Sequence, residues 1–286
     1  MSEIVLVTGS SGQLGSDVVS ILSKENYKVF GFSRSELDIT SIDNVEQIFN
    51  DINPDIVIHC AAYTNVDLAE ENSDDAFRVN AIGTRNLAAA SEEAGAKLVY
   101  ISTDYVFNGE GNLPYTEFDT TSPLGIYGRS KLAGEKHVET LCNRFFILRT
   151  SWVYGANGKN FVKTMLKLAE DKSSIDVVDD QQGCPTYTMD LVKCISLLIK
   201  TKKYGTYHVS NSGSCSWYEF AKAIFTKAGI NINVNPVTTE NFPRPAERPK
   251  YSVFGHLNLR LNEFPEMRNW QSALDEFLKQ ESEVTQ

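Results

Sequence analysis

The amino-acid sequence predicts an α/β fold built on a parallel β-sheet with helices on both faces. Short apolar runs alternate along the first half of the chain with longer stretches whose apolar residues recur at helical spacing. The runs are apolar throughout, which is typical of strands buried on both faces. A glycine-rich turn, residues 8–15, separates the first run from the first helical stretch. This order of elements favours a doubly wound, Rossmann-type sheet.

The elements of the first half follow from these patterns. The predicted strands are residues 4–7, 27–32, 55–59, 98–101 and 145–148. The predicted helices are residues 14–22, 45–52, 76–94 and 122–141. Gly95 ends the third helix, because glycine tolerates the left-handed conformation at a helix C-terminus. Ser122 is the predicted N-cap of the fourth helix, with Pro123 in its first turn.

The regular alternation weakens after Trp152. Helices are predicted at residues 161–169, 191–199 and 217–228, and strands at 176–178 and 206–209. The proline-rich segment 236–249 is predicted to be a long loop, and such loops are often functional. We therefore predict a Rossmann-type cofactor domain with a smaller, interleaved substrate-binding lobe. The domain comprises residues 1–152 with parts of 183–215, and the lobe comprises residues 153–182 and 216–286.

Composition limits the classes of partner. Acidic residues outnumber basic ones 37 to 27, which gives a formal net charge of -10. This charge repels nucleic acid and anionic membranes, so neither is an expected partner. The five cysteines form no Cys-x-x-Cys pair, the sequence has no signal-peptide pattern, and no apolar run approaches the ~18 residues of a membrane helix. We expect a cytoplasmic protein. The histidines show no ligand spacing, so no catalytic metal is predicted.

The turn after the first strand is a candidate phosphate-binding site. Its glycines allow a pyrophosphate to approach the backbone, and the following helix points free N–H groups at the negative charge. A Gly-x-x-Gly-x-x-Gly string is weak by itself, and a turn that only packs helix on sheet is the alternative reading. Its place between strand and helix supports cofactor binding. The candidate residues here are Gly9, Ser11, Gly12, Gln13 and Leu14.

The end of the second strand bears on the choice of cofactor. A carboxylate there would favour NAD, whereas the sequence has Arg34, and a cation can hold a 2′-phosphate. NADPH is therefore the expected cofactor, with NADH as the alternative. A solvated surface arginine is the competing interpretation. Asp38 and Ile39 follow at a position that could reach the adenine.

Tyr127 and Lys131 are the candidate catalytic pair. They are four residues apart in a predicted helix and so share one face. A neighbouring cation favours the phenolate, so we expect Lys131 to lower the pKa of Tyr127 toward the range useful in acid–base catalysis. The fourth strand ends at Ser102 and Thr103, on the sheet edge where ligands bind. The Thr103 hydroxyl could bond a substrate oxygen, although turn chemistry alone also explains these residues.

Asn80 and His59 are polar residues within predicted regular elements. Asn80 lies inside a predicted helix, where asparagine is unfavourable, so a backbone or water contact near the site is expected, with simple exposure as the alternative. His59 ends a buried strand, and a structural role is expected for it.

These motifs together resemble the extended short-chain dehydrogenase/reductase family, and within it the dTDP-4-dehydrorhamnose reductases. The likeness covers nearly the whole chain. It rests on residues 8–15, 59–67, 79–81, 102–107, 127–131, 149–155, 183–186 and 248–249. Similar 4,6-dehydratases carry an Asp-Glu pair after the threonine, whereas this sequence has Asp104 and Tyr105. Dehydration is therefore disfavoured and reduction preferred.

The resemblance implies reduction of the C4 keto group of dTDP-4-dehydro-L-rhamnose by NADPH to give dTDP-L-rhamnose. It implies that Tyr127 donates the proton, that Lys131 binds the nicotinamide ribose, and that Thr103 positions the carbonyl. Further cofactor contacts are implied for Ala61, Ala62, Tyr63, Asn80 and Ser102. Contacts with the sugar nucleotide are implied for Asp104, Tyr105, Trp152 and Arg248. A dTDP-sugar is the expected partner, and the chain is expected to be a monomer or homodimer.

Three alternatives remain open from the sequence. Some family members dimerise through magnesium held by glutamates, but here the first-helix position is Asp17, so no metal is carried over. A non-catalytic NADP-binding protein, resembling the regulatory subunit of methionine adenosyltransferase, would share the fold without turnover. Another sugar-nucleotide reductase or an epimerase would share the motifs.

Overall fold

The computed structural model describes residues 2–284 as strands that alternate with helices. The strands are β1 (Glu3–Thr8), β2 (Tyr27–Phe32), β3 (Ile56–His59), β4 (Lys97–Thr103), β5 (Phe145–Thr150), β6 (Val153–Tyr154), β7 (Ser174–Val178), β8 (Gln182–Gly183), β9 (Thr186–Tyr187), β10 (Gly205–His208), β11 (Cys215–Ser216) and β12 (Asn233–Val237). The helices are α1 (Gln13–Leu22), α2 (Ile42–Ile52), α3 (Val66–Glu71), α4 (Ser73–Phe77), α5 (Thr84–Ala94), α6 (Ile126–Leu141), α7 (Phe161–Asp171), α8 (Thr188–Leu198), α9 (Trp217–Ala228), α10 (Leu257–Leu261) and α11 (Trp270–Val284).

The central sheet has six strands, all parallel, in the order β10-β5-β4-β3-β1-β2. From β1 the chain passes to β2 on one side and then returns to β3 on the other side. The loops that follow β1 and β3 therefore diverge, and a crevice opens at the carboxyl ends of these strands. The predicted doubly wound, Rossmann-type sheet is confirmed.

Two apolar cores cover the two faces of the sheet. Along β1, Val5 and Val7 enter one core and Leu6 enters the other, and all three side chains are fully buried. The first core includes helices α1 and α8, and the second includes α2, α5 and α6. Burial on both faces explains why β1 is apolar at successive positions.

A third core lies outside the sheet. It joins residues of β6, α7, β7, β9, α9 and α11, with Tyr154, Phe220 and Phe277 among its largest buried side chains. This core supports the proposed division into a cofactor domain and a substrate lobe. Leu259, from the C-terminal part assigned to that lobe, packs instead in the first core of the sheet. Among the described residues, no helix combines the length and apolarity needed to cross a bilayer.

The helix predicted from Ser122 begins later, at Ile126, and the predicted cap was wrong. Gly125 is the N-cap, and it has no side chain to bond the first turn. The carboxylate of Glu70 on α3 accepts a hydrogen bond from the Ile126 N–H at 2.8 Å instead. Residues 122–124 remain irregular, and Ser122 N–H donates to the Val106 carbonyl at 2.8 Å.

Two further boundaries differ from the prediction. The alanine-rich helix is interrupted by a π-helical turn, Arg78–Gly83, between α4 and α5. Such turns often mark functional positions, and this one holds Asn80. Gly95 ends α5 in the left-handed conformation, as predicted. Pro236 lies in strand β12, which pairs with β7, so the predicted loop begins after that strand.

Candidate active site

A cleft of about 800 Å³ opens at the carboxyl ends of β1, β3, β4 and β5. It brings together residues that the sequence places far apart. The predicted site residues that line it are Gly9, Ser11, Gly12, Gln13, Leu14, Arg34, Asp38, Ile39, Ala61, Ala62, Tyr63, Ser102, Thr103, Asp104, Tyr105, Tyr127, Lys131 and Trp152. Asn80 and Arg248 are the two predicted site residues that do not line it.

The turn after β1 has the geometry of an anion site. Gly9 adopts φ +67°, and a Cβ there would lie 2.7 Å from the Ala61 nitrogen. A Cβ on Gly15 would lie 2.1 Å from the Gly9 oxygen. Helix α1 begins after Gly12, whose lack of a side chain leaves the first N–H groups uncapped. These groups face the cleft and could hold a pyrophosphate.

His59 connects the residue that begins this turn, Thr8, to Thr84 through two hydrogen bonds. Its Nδ1 lies 2.8 Å from Thr8 Oγ1 and its Nε2 lies 3.0 Å from Thr84 Oγ1. Thr84 already donates to the Asn80 carbonyl, so we assign the imidazole proton to Nε2. Burial lowers the pKa of His59 well below 6.5, with a smaller effect from Lys131. The neutral ring ties β1 and β3 to the helix beside them, in the structural role expected.

Arg34 lies exposed at the rim of the cleft, close to Asp38. Two hydrogen bonds from Thr40 lower the pKa of the Asp38 carboxyl, and the charge of Arg34 lowers it slightly more. Ile39 is buried beneath the rim, and its carbonyl accepts a hydrogen bond from Asn86 at 3.0 Å. Because the Arg34 side chain is exposed, it can move to bind a phosphate group, while the loop at Asp38 and Ile39 is held in place by hydrogen bonds.

Helix α6 presents Tyr127 and Lys131 to the cleft on one face, as predicted. Two glycines let the helix approach β4 closely. A Cβ on Gly128 would lie 2.2 Å from the Tyr105 oxygen, and one on Gly134 would lie 2.3 Å from the Tyr100 hydroxyl. Lys131 is buried as a result, whereas Tyr127 is partly exposed to the cleft beside Thr103.

The expected lowering of the Tyr127 pKa was wrong for this structure. Burial raises the pKa of Tyr127 to about 12, and the charge of Asp104 raises it further, while a hydrogen bond with Thr103 opposes the rise. The physical reason is that burial removes the phenolate from water, and the hydration lost is larger than the stabilisation that nearby hydrogen-bond donors provide. Tyr127 is therefore a protonated phenol through the neutral range, a state that can donate a proton.

Lys131 is a buried lysine, with 2% of its surface exposed. Its Nζ lies 4.1 Å from the centroid of the Tyr100 ring. Burial lowers the pKa of Lys131 to about 7, although the negative charge of Glu135 opposes the shift. Both forms of the amine are therefore populated near neutral pH.

Thr103 ends β4 inside the cleft, and Asp104 follows it directly. The Thr103 hydroxyl donates to Asp104 Oδ1 at 3.1 Å and accepts from the Tyr105 N–H at 3.2 Å. Burial raises the pKa of Asp104 to about 6, and hydrogen bonds from Ser252 and Thr103 oppose that rise. The hydroxyl and the carboxyl therefore form one small polar cluster next to Tyr127.

A buried ion pair beneath the cleft was missed from the sequence. Arg149 Nη2 lies 2.7 Å from Glu135 Oε2, and both side chains are almost fully buried. The Ser102 hydroxyl donates to Glu135 Oε1 at 2.5 Å. Glu135 follows Lys131 by four residues in α6, a spacing that could have identified it. Ser102 lines the cleft, but its hydroxyl is hydrogen-bonded to this ion pair.

Trp152 lines the cleft after β5 in the unusual conformation φ +48°. Its ring stacks on Trp217 with a centroid separation of 3.5 Å and an angle of 10°. Its edge meets Gly183, where a Cβ would lie 2.5 Å from the indole. Trp217 comes from α9 and was not expected from the sequence. The stack holds one indole at the cleft wall, half-buried.

Asn80 and Arg248, the two candidates that do not line the cleft, are hydrogen-bonded to neighbouring residues instead. The Asn80 amide donates to the Tyr63 carbonyl at 3.1 Å, and its oxygen accepts from the Tyr63 N–H at 2.8 Å. It therefore fixes the backbone that lines the cleft. Arg248 donates to both oxygens of Asp67 at 3.0 Å, in a loop near Tyr105.

The chain matches one protein family over nearly its whole length. The family model described as "RmlD substrate binding domain" matches residues 2–283. The chain is 36% identical to the dTDP-4-dehydrorhamnose reductase of Escherichia coli (strain K12), over 96% of this chain and 97% of that protein. The chain belongs to the RmlD family of dTDP-4-dehydrorhamnose reductases.

Other members of the RmlD family are more similar in sequence. The chain is 45% identical to the spore coat polysaccharide biosynthesis protein SpsK of Bacillus subtilis (strain 168), over 97% of this chain and 98% of that protein. A crystal structure of dTDP-4-dehydrorhamnose reductase from Bacillus anthracis str. Ames in complex with NADP superposes with a TM-score of 0.97. That protein is 53% identical, and the match covers 98% of this chain and 100% of the other.

Proposed function

We propose that this protein reduces the C4 keto group of dTDP-4-dehydro-L-rhamnose with NADPH and so produces dTDP-L-rhamnose. The observation that carries the proposal is the grouping of Thr103, Tyr127 and Lys131 in one cleft with the glycine turn, in a chain of the RmlD family. The reaction is a reduction at a carbonyl carbon, for which a phenol beside a hydroxyl is a suitable proton donor.

The cleft residues fit an NADP cofactor. The uncapped N-terminus of α1 and the turn at Gly9 would hold the pyrophosphate, and Arg34 would hold the 2′-phosphate. Ala61, Ala62 and Tyr63 would line the cofactor along the end of β3, where Asn80 fixes the backbone of Tyr63. When bound, the cofactor supplies hydride to the carbonyl carbon. NADH is the alternative cofactor.

Tyr127 is the proposed proton donor. Its burial keeps the phenol protonated at neutral pH, so a proton is available for the carbonyl oxygen as that oxygen gains negative charge. The Thr103 hydroxyl donates its one proton to Asp104 Oδ1 in this structure, and it is proposed to turn that proton to the same carbonyl oxygen when the substrate binds. Lys131 is proposed to bind the ribose and, in its charged form, to stabilise the phenolate left behind.

The sugar nucleotide is proposed to lie between the Asp104–Tyr105 pair and Trp152. The half-buried indole offers an apolar face for the sugar, and Asp104 offers a carboxylate for its hydroxyl groups. Arg248, which interacts with Tyr105, is proposed to contact the nucleotide on that side of the cleft. Thr103 is followed by Asp104 and Tyr105, without the Asp-Glu pair of the dehydratases, which supports reduction over dehydration.

One experiment tests the proposal. Purified protein is mixed with NADPH and dTDP-4-dehydrorhamnose, NADPH oxidation is followed by absorbance, and the product is identified by NMR. Formation of dTDP-L-rhamnose is expected. NADPH binding without oxidation would refute the proposal and favour the non-catalytic binding protein, and a product of different stereochemistry would favour another reductase or an epimerase.

Location and assembly also remain proposals. The five cysteines are all free, which supports a reducing, cytoplasmic location. A monomer or a homodimer is proposed, and sedimentation of the purified chain would distinguish them.

A further inference from the structure

Residues 249–255, here called the C-terminal strap, pass behind Asp104, which lines the cleft, without lining the cleft themselves. On one side, Gln182 N–H donates to the Lys250 carbonyl and Ser252 N–H donates to the Gln182 carbonyl, both at 2.8 Å. On the other side, Tyr115 N–H donates to the Val253 carbonyl at 2.8 Å. The strap is therefore fixed by backbone bonds between two separate parts of the chain.

Ser252 points from the strap to the reacting end of the cleft. Its hydroxyl donates to Asp104 Oδ2 at 2.7 Å, and the serine is 2% exposed. Asp104 is equally buried, and its other oxygen accepts from Thr103. Because the backbone of Ser252 is bonded on the strap, its hydroxyl has a fixed position from which it orients the carboxyl group.

Among the groups that interact with its charge, Asp104 is the one that titrates near pH 6, whereas Lys131, elsewhere in the same cleft, has a pKa of about 7 in both wild type and Ser252→Ala. Tyr127 from α6, the adjacent Tyr105, and Cys184 after β8 interact with its charge. Burial raises the pKa of all three, to about 12 for Tyr127 and about 11 for Cys184, so they are uncharged when Asp104 ionises. The serine hydrogen bond favours the carboxylate, in opposition to burial.

We propose that Ser252 is a positioning residue for the reduction, whose hydroxyl fixes the Asp104 carboxylate as the acceptor for a sugar hydroxyl group next to the reacting carbonyl. This inference rests on the proposed function, because it needs the sugar to lie beside Thr103. Ser252 holds Oδ2, and backbone N–H groups of Asp104 and Tyr105 also favour the carboxylate. Oδ1 becomes free to bond the sugar when the Thr103 hydroxyl turns its proton to the substrate oxygen.

The test is the pH dependence of kcat/KM for Ser252→Ala. Removal of the hydroxyl raises the pKa of Asp104, so the acidic limb should move to higher pH. We expect about a tenfold loss of kcat/KM at pH 6, mainly through KM for the sugar nucleotide, and less than about a threefold loss at pH 8.5. NADPH affinity should be unchanged. Ser252→Thr, which keeps the hydroxyl, should restore the wild-type profile.

Two further variants separate this role from general stability. Ser196→Ala removes another buried hydroxyl, on α8, that has no partner among the described residues, and its pH profile should match wild type. In an Asp104→Asn background, Ser252→Ala should have no additional effect on the profile. A loss for Ser252→Ala that is equal at all pH values, or that persists in the Asp104→Asn background, would overturn the proposal.

A titration that needs no turnover separates failure of the Ser252 role from failure of the proposed reduction. The Asp104 carboxyl is titrated by ¹³C NMR in labelled protein, with Asp104→Asn used for assignment. A higher pKa of Asp104 in Ser252→Ala shows that the Ser252 hydroxyl stabilises the carboxylate. This result would stand even if the wild-type protein failed to reduce the keto-sugar and the proposed reduction were overturned. An unchanged titration overturns the role of Ser252, even if the wild type reduces the keto-sugar.

Discussion

Replacement of Lys131 by methionine should make the cofactor-free protein more stable while it removes activity. The lysine is buried, and its pKa falls from 10.5 to about 7. At about 1.4 kcal/mol per pH unit, this shift corresponds to about 5 kcal/mol of cost for the buried charge. Methionine has a similar linear shape and carries no charge. The lost contact with the Tyr100 ring offsets about 1–2 kcal/mol of the gain.

The pH dependence of this gain has a definite sign. Below pH 7 the lysine is protonated in both the folded and the unfolded chain, so the full cost is present. Between pH 7 and 10.5 the unfolded chain binds the additional proton, and the stability of the wild type rises with pH. We therefore expect Lys131→Met to be about 3–4 kcal/mol more stable at pH 6, with a gain that shrinks toward pH 10.

Urea unfolding of the cofactor-free protein at pH 6, 7.5 and 9, followed by tryptophan fluorescence, measures this effect. Lys136→Met is a matched control, because Lys136 is exposed on the same helix, and it should change stability by less than about 0.5 kcal/mol. If Lys131→Met were less stable than wild type at pH 6, or if its gain were the same at pH 6 and pH 9, the assignment of a costly buried charge would be refuted.

Three further substitutions test the assigned roles. Tyr127→Phe should lower kcat about 10²–10⁴-fold with folding and NADPH affinity intact, since only the proton is lost; steady-state kinetics with a fluorescence titration of NADPH would detect this, and near-normal turnover would contradict it. Arg34→Ala should raise the Kd for NADPH about tenfold or more and leave NADH unchanged; equal weakening of both cofactors would rule out a 2′-phosphate contact. Trp152→Ala should raise KM for the sugar nucleotide more than KM for NADPH; a variant that only melts earlier would assign the indole to packing with Trp217.

The sequence was informative where a short pattern determines the structure. The continuous apolar run of β1 and the glycines at 9, 12 and 15 depend on local geometry, and the sheet and anion site were predicted from them. The four-residue spacing of Tyr127 and Lys131 was enough to predict that both lie on one face of a helix. These features need no knowledge of distant contacts.

The sequence failed where distant segments meet. The start of α6 depends on a cap from Glu70, which lies 56 residues earlier, so the local Ser-Pro pattern was misleading. The pKa of Tyr127 depends on how deeply the site is buried, and the lysine spacing carries no information on that. Ser252 reaches Asp104 across 148 residues of sequence and has no local signal at all.

The third apolar core has a consequence for synthesis on the ribosome. Strands β1 to β5 and the glycine turn precede residue 151, whereas the third core needs Ala273, Leu274 and Phe277 from α11. Domains generally fold from the N-terminus as the chain emerges. A nascent chain would therefore expose these five strands and the glycine turn well before the third core could form, although the first core of the sheet also waits for α8 and Leu259. Truncation within α11 should leave the five strands and the glycine turn but prevent completion of the third core.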